Sequence, residues 1–294
     1  MALTHLFYGG NGTTPVDSGL PLVGVLYGVA QNGDLLWYRY VGHGEKNRSG
    51  NTGWDPNSSN PIGNTWQSFR QILGCGNGVI LAIHQNGDLL WYQYHGNGGS
   101  DRSGRTGWHP NSGNPIGNGW QGFRRVFVTP QQGRDPGRLG IYAVAQNGDL
   151  LWYSYHGNGE SDRSGSTGWH PNSGNPIGNG WQSFRQIIGC GGVIFGVQEN
   201  GDLLWYSYNG NGESDRSGNT GWDPNSGNPI GNTWQDFRAL FGGSNDSDGF
   251  GQVIFAVAQN DDLHWYRYDG HGENDRSGST GWKPNSGNPI GDGW

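Results

Sequence analysis

Basic residues are scarce: 17 Lys and Arg stand against 24 Asp and Glu, a formal net charge of −7. A nucleic-acid binder needs a basic face to neutralise phosphates. None is visible here, and the same shortage argues against binding to anionic membranes. Long apolar runs are missing as well. No stretch approaches the roughly 18 residues of a transmembrane helix, so no membrane insertion is expected. The opening Met1-Ala2-Leu3-Thr4-His5-Leu6-Phe7 has no basic n-region and no apolar core, so it is not a secretory signal peptide. The chain is expected to stay in the cytoplasm, to leave by a non-classical route, or to have been supplied without its leader. The nine His fall at no metal-ligand spacing, and Asp246-Ser247-Asp248-Gly249 is only a fragment of a calcium loop. No metal and no cofactor are therefore expected. Cysteine is nearly absent. Cys75 and Cys190 both follow an Ile-x-Gly motif and so occupy equivalent places in different repeats, which predicts two free thiols.

Glycine and aromatics are abundant: 58 Gly, 15 Trp, 13 Tyr and 10 Phe. Such a glycine content alone suggests low complexity. The aromatics exclude disorder, because they supply the apolar surface that offsets ordering entropy.

The aromatics are periodic. Asn32-Gly33-Asp34-Leu35-Leu36-Trp37-Tyr38 recurs from Asn86, Asn147 and Asn200, and in variant form from Asn260. A second Trp follows at Trp54, Trp108, Trp169, Trp222 and Trp282, and a third at Trp66, Trp120, Trp181, Trp234 and Trp294. Five repeats of three account for every tryptophan, and the repeats run over approximately 1–66, 67–120, 121–181, 182–234 and 235–294.

Each repeat reads as β. Val193–Val197 is a β-branched and aromatic run, Asn200-Gly201 is a strong hairpin signal, and Leu203–Tyr208 returns. Helical periodicity is absent throughout. Four short strands per repeat predict an all-β, five-bladed β-propeller of four antiparallel strands per blade, one domain over residues 1–294. Leu3–Phe7 matches Phe237–Phe241 in apolar spacing. The N-terminus thus supplies the strand that the last repeat lacks, and the ring closes between the N- and C-termini. The segments Gly9–Leu20, Thr129–Gly140 and Gly242–Gly251 read as surface loops of different length.

Comparing the copies separates drift from constraint. The positions Arg39/Gln93/Ser154/Ser207/Arg267, Asp55/His109/His170/Asp223/Lys283 and Asn51/Arg105/Ser166/Asn219/Ser279 vary freely. Trp37, Tyr38, Ile62, Trp66 and their equivalents are expected to pack within and between blades. Asp34 and its equivalents are expected to bond backbone in the hairpin turn.

The long loop holds an unusual fixed polar set. It contains Asn47 or an aspartate (Asp101, Asp162, Asp215, Asp275), followed by Arg48, Arg102, Arg163, Arg216 or Arg276. Next comes the second Trp (Trp54, Trp108, Trp169, Trp222, Trp282), then Asn60, Asn114, Asn175, Asn228 or Asn288. Loops ordinarily drift more than strands. Indole covers the apolar face of a pyranose, while amides, carboxylates and guanidinium match its hydroxyls. These twenty residues are therefore the candidate carbohydrate site, about one per blade. The bland alternative is a loop salt bridge with turn caps, worth about 0–1 kcal/mol when exposed.

The repeat beginning Val193-Ile194-Phe195-Gly196-Val197 resembles those of the tachylectin-2 family of lectins. The most specific elements are Ile230-Gly231-Asn232-Thr233-Trp234 and Phe237–Phe241. The resemblance spans essentially the whole chain. It implies a five-bladed propeller that binds N-acetylglucosamine or N-acetylgalactosamine without a metal, and places Trp54, Trp108, Trp169, Trp222 and Trp282 on the family's Trp before Ile-Gly. The Arg-Ser-Gly loop is longer than the family's, and Pro-Asn-Ser-x-Asn-Pro replaces its Ala-Arg-Ala type segment. The expected partners are glycans with terminal N-acetylhexosamine, bound by a monomer or weak oligomer that is not an enzyme. A protein-interaction scaffold is the main alternative. A glycosidase fits less well, because it needs two carboxylates about 5–9 Å apart at one site. The unrepeated acids Asp17, Asp135, Glu199, Asp236, Asp246, Asp248 and Asp261 lie mostly in variable loops or turns.

Overall fold

The turn chemistry cuts each repeat into short strands. The computed structural model describes residues 3–11, 24–130, 139–245 and 251–294. These form five four-stranded antiparallel sheets, each a simple meander. The first sheet is β1 (Leu3–Asn11), β2 (Gly24–Ala30), β3 (Leu35–Arg39) and β4 (Asn60–Gly63). The second is β5 (Phe69–Gly76), β6 (Val79–His84), β7 (Leu89–Gln93) and β8 (Asn114–Gly117). The third is β9 (Arg125–Pro130), β10 (Leu139–Val144), β11 (Leu150–Tyr155) and β12 (Asn175–Gly178). The fourth is β13 (Gln186–Cys190), β14 (Val193–Val197), β15 (Leu203–Ser207) and β16 (Asn228–Gly231). The fifth is β17 (Phe237–Asn245), β18 (Gly251–Ala258), β19 (Leu263–Tyr268) and β20 (Asn288–Gly291).

Burial explains why the strands are apolar on both faces. Every residue of β2, β10 and β14 is buried. A strand that is apolar on both sides must be covered on both sides, and here the neighbouring blades do the covering. Five hydrophobic clusters result, each shared by two successive sheets. The last joins Tyr8, Leu26 and Tyr40 of the first sheet to Phe241, Phe255 and Trp265 of the fifth. The ring is thereby closed between its first and last blades, as the five-bladed reading requires.

The strand assigned to the N-terminus is β1. Leu3 pairs with Ala30 as Phe69 pairs with His84. Its side chain lies over Gly28 as Phe184 lies over Gly196. One expectation needs correcting. Gly9–Asn11, Thr129–Pro130 and Gly242–Asn245 are strand rather than loop. Leu139–Gly140 and Gly251 are strand as well, in β10 and β18; the rest of those three segments, and with it Asp17, Asp135, Asp246 and Asp248, lies outside the described residues. Cys75 and Cys190 are free and buried, in the second and fourth sheets.

Candidate functional site

Each seam between blades is built from the fixed residues of the long loop. Between the first and second blades, the Gly98 backbone sits on Trp37: a Cβ at Gly98 would lie 2.1 Å from the indole. Asn60 donates its side-chain amide to the Gly98 carbonyl at 2.8 Å. The Asp101 backbone N–H donates to the Pro61 carbonyl at 2.8 Å, and the Trp108 indole N–H to the Ile62 carbonyl at 3.0 Å. Arg102 reaches back to the hairpin turn of the first blade, with Nε 2.6 Å from Asp34 Oδ1. The other seams repeat this pattern. Arg163, Arg216 and Arg276 meet Asp88, Asp149 and Asp202 at 2.6 Å, and Arg48 meets Asp262 at 2.8 Å across the ring closure. Asn114, Asn175, Asn228 and Asn288 likewise each donate to a loop carbonyl of the following blade at 2.9 Å.

The turn aspartates therefore have a different role from the one expected. Asn32, not Asp34, closes the turn: its Oδ1 accepts the Asp34 backbone N–H at 3.2 Å, and its Nδ2 donates to Asp34 Oδ2 at 2.8 Å. Asp34 keeps Oδ1 for Arg102. Its carboxylate is largely buried while the guanidinium stays more than half exposed. This is no weak exposed pair between loop neighbours. It ties sites 68 residues apart.

The loop aspartates turn inward. Asp101 Oδ1 accepts from the Ser103 backbone N–H, and Oδ2 from those of Arg105 and Thr106. The Ser and Thr side chains on Asp101, Asp162, Asp215 and Asp275 hold these carboxyls well below the usual carboxylate range. In the first loop Asn47 takes this place: its side-chain N–H donates to the Ser49 hydroxyl at 2.7 Å and its oxygen accepts the Asn51 and Thr52 backbone N–H groups at 3.2 and 2.7 Å.

A pH dependence follows. A carboxyl with a depressed folded-state pKa contributes stability that is complete above its unfolded value of about 3.9 and is lost below it. Melting temperature is expected to be level between about pH 5 and 7 and to fall below about pH 4, modestly because these carboxyls are exposed to solvent. Melts over this range check it. Combining Asp101→Asn, Asp162→Asn, Asp215→Asn and Asp275→Asn should flatten the acid limb; an unchanged limb would rule out these loops as its source.

Above four of the seams the loop leaves an open cleft. Four clefts have volumes of 450, 390, 530 and 510 Å³ in ring order from the first seam. That is the range of small-ligand sites. One wall carries Trp66, Trp120, Trp181 or Trp234 from the end of the preceding blade, with the Phe three residues on, where the chain enters the next blade. The other carries Trp108, Trp169, Trp222 or Trp282, a strand Tyr, and the Ser of Arg-Ser-Gly. The two tryptophans pack on one another with centroids 5.5–5.8 Å apart. Trp54 and Trp294 do so at 5.2 Å at the ring closure. Burial pushes the cleft tyrosines Tyr92, Tyr153, Tyr206 and Tyr266 up to about 12, so their hydroxyls stay neutral and can both donate and accept.

The twenty candidate residues thus divide. Trp108, Trp169, Trp222 and Trp282 line clefts, and Trp54 holds the equivalent place. The loop aspartates and Asn47, the arginines and Asn60, Asn114, Asn175, Asn228 and Asn288 frame the loop and the seam. Sequence reasoning missed the Ile-Gly-Asn-x-Trp wall, the cleft Tyr and the loop Ser. Their recurrence, broken only by Asp292 in the Asn place of the fifth copy, is the available signal; the Trp and Tyr read as packing residues, and the Ser stands in the loop without a role. Among the described residues, no group of three His, Cys, Asp or Glu could hold a metal ion.

No curated protein matches the chain. Similar solved structures include an Aleuria aurantia lectin mutant in complex with alpha-methyl-L-fucoside. It is 14% identical, with a TM-score of 0.45, over 98% of this chain and 95% of that one. The BP39L lectin from Burkholderia pseudomallei is 14% identical, with a TM-score of 0.43, over 96% of this chain and 69% of that one. The tachylectin family model matches residues 28–294, in agreement with the five sheets and their repeated Ile-Gly-x-x-Trp walls, and the chain belongs to the tachylectin family.

Proposed function

We propose that the protein is a carbohydrate-binding lectin that holds an N-acetylated hexosamine in each inter-blade cleft. Membership of the tachylectin family supports the lectin reading. The observation that carries the site is the recurrence of one cleft with a paired-tryptophan floor and a rim of hydroxyls and amides. An indole covers the apolar face of a pyranose and the methyl of an acetamide. The Ser and Tyr hydroxyls and the Asn amides meet ring hydroxyls and the acetamide N–H and C=O. In this reading Trp54, Trp108, Trp169, Trp222 and Trp282 touch the sugar, and the loop Asp, Arg and Asn residues position them. None of the four described clefts has two carboxylates in its lining: two have none, one has Asp223 and one has Asp236. Binding, not glycoside hydrolysis, suits such walls. Single sites of this size bind weakly. Five on one ring raise avidity for a dense glycan surface by about 10²–10⁴.

Calorimetric titration tests this directly. N-acetylglucosamine or N-acetylgalactosamine is expected to saturate close to five sites per chain, ahead of glucose and alpha-methyl-L-fucoside and unaffected by EDTA. Preference for the fucoside would overturn the N-acetyl specificity. No heat with any of them, together with a silent glycan array, would overturn the lectin reading.

A further inference from the structure

The four described clefts share a floor but not a lip. Two of the positions that drift freely between copies lie in the cleft lining. They are Arg105 and His109 at the first seam, Ser166 and His170 at the second, Asn219 and Asp223 at the third, and Ser279 and Lys283 at the fourth. Neither position supplies the side-chain bonds that tie the seams, so its side chain can change what a cleft meets without loosening the ring.

The charges on these lips are not equivalent. Lys283 is held to Asp269, with Nζ 2.8 Å from Oδ2 of a carboxylate it shares with Arg267, and Asp236 also lines that cleft. The third lip carries Asp223 and no cation. At the first, Arg105 is exposed and forms no ion pair among the described residues. No carboxylate lines that cleft. The nearby Asp101 carboxylate is engaged by the Arg105 and Thr106 backbone N–H groups at 3.1 and 2.8 Å. His109 is turned to its own loop, where Nδ1 accepts the Asn111 backbone N–H at 3.1 Å. The first cleft thus pairs an aromatic floor with an uncommitted guanidinium, the group best suited to fork onto a planar or tetrahedral anion.

We infer that the cleft between the first and second blades selects a pyranose bearing an anionic substituent, a carboxylate or a sulfate ester, through Arg105. The other three described clefts take neutral sugars. The inference rests on the clefts being sugar sites, and would give one ring two specificities.

The test uses ligands that share one ring and differ in charge: N-acetylglucosamine, N-acetylmuramic acid for the carboxylate, and N-acetylglucosamine 6-sulfate for the sulfate. On the full chain, one site is expected to bind an anionic ligand about fivefold more tightly than the neutral sugar, as suits an exposed charge-assisted contact. The preference should shrink at about 1 M salt, where screening shortens to about 3 Å. Arg105→Ser, which copies the second cleft, should abolish the tight anionic site. Ser166→Arg should raise the number of such sites from one to two, a gain that loss of structure cannot imitate. Whichever anion shows the gain identifies the source. If the neutral sugar binds but neither anion binds more tightly, or neither substitution changes the count, the inference fails alone. If no sugar binds at all, the lectin reading fails and takes this inference with it.

Discussion

Trp222→Ala is expected to remove one sugar site from five and to destabilise the chain by about 3 kcal/mol. The indole serves three neighbours at once. It packs on Trp181 of the preceding blade at 5.7 Å and on Tyr208 of its own at 5.1 Å. Its N–H donates to the Ile177 carbonyl at 2.9 Å across the seam. Truncating a buried Trp costs about 3–5 kcal/mol. Trp222 is only partly buried, which argues for the low end, but the orphaned Ile177 carbonyl adds to the loss. Denaturant melts and calorimetric stoichiometry check the two effects separately. A folded variant that still binds five sugars per chain would exclude Trp222 from the site. Trp222→Phe sharpens the separation, because it keeps an aromatic ring in the cleft while giving up the indole N–H and part of the ring area.

How much of this was legible in the sequence depends on distance along the chain. The hairpins were, because Asn-Gly and its flanking apolar runs are adjacent, and a left-handed residue is forced there: Gly33 has φ 86° and its fifth-copy replacement Asp261 has φ 63°. The first strand was, because Leu3 and Phe7 keep the spacing of Phe237 and Phe241. The Arg–Asp ties were not. Arg102 stands next to Asp101 in the chain, so a local pair was the natural alternative, yet its partner is Asp34 in the previous repeat. Fivefold uniformity also had two sources that sequence alone cannot separate, the seam and the cleft. Asn114 is uniform because the next blade's loop hangs on it. Trp108 is uniform with both a seam bond and a cleft wall to keep. Drift at Arg105 and His109 looked like freedom, because nothing in one dimension shows that the two side chains share a lip.

The tightest constraint lies at the centre of the ring, where Gly189→Ala is expected to cost at least about 3 kcal/mol. The inner strands β1, β5, β9, β13 and β17 approach one another around the axis, and their central register positions are Tyr8, Gly74, Val128, Gly189 and Gly242. A Cβ on Gly189 would lie 1.9 Å from the Val128 carbonyl oxygen. One on Gly242 would lie 1.9 Å from the Gly189 oxygen, and one on Gly74 only 1.3 Å from that of Tyr8. Gly189 does not have a positive φ, so the need is for space and not for conformation. The obstacle is backbone of the preceding blade, which no rotamer change can move. Relief requires shifting a whole blade, and with it the clusters on both of its faces. Overpacking ordinarily costs about 1–3 kcal/mol, and a clash that only a rigid-body shift can relieve belongs at or above the top of that range. Gly122→Ala is the matched control. It meets nothing within 4 Å, and its equivalents Ser68, Ser183 and Asp236 already carry side chains. It should change stability by less than about 0.5 kcal/mol. Equal melts for the two variants would mean that the inner strands stand further apart than this ring allows.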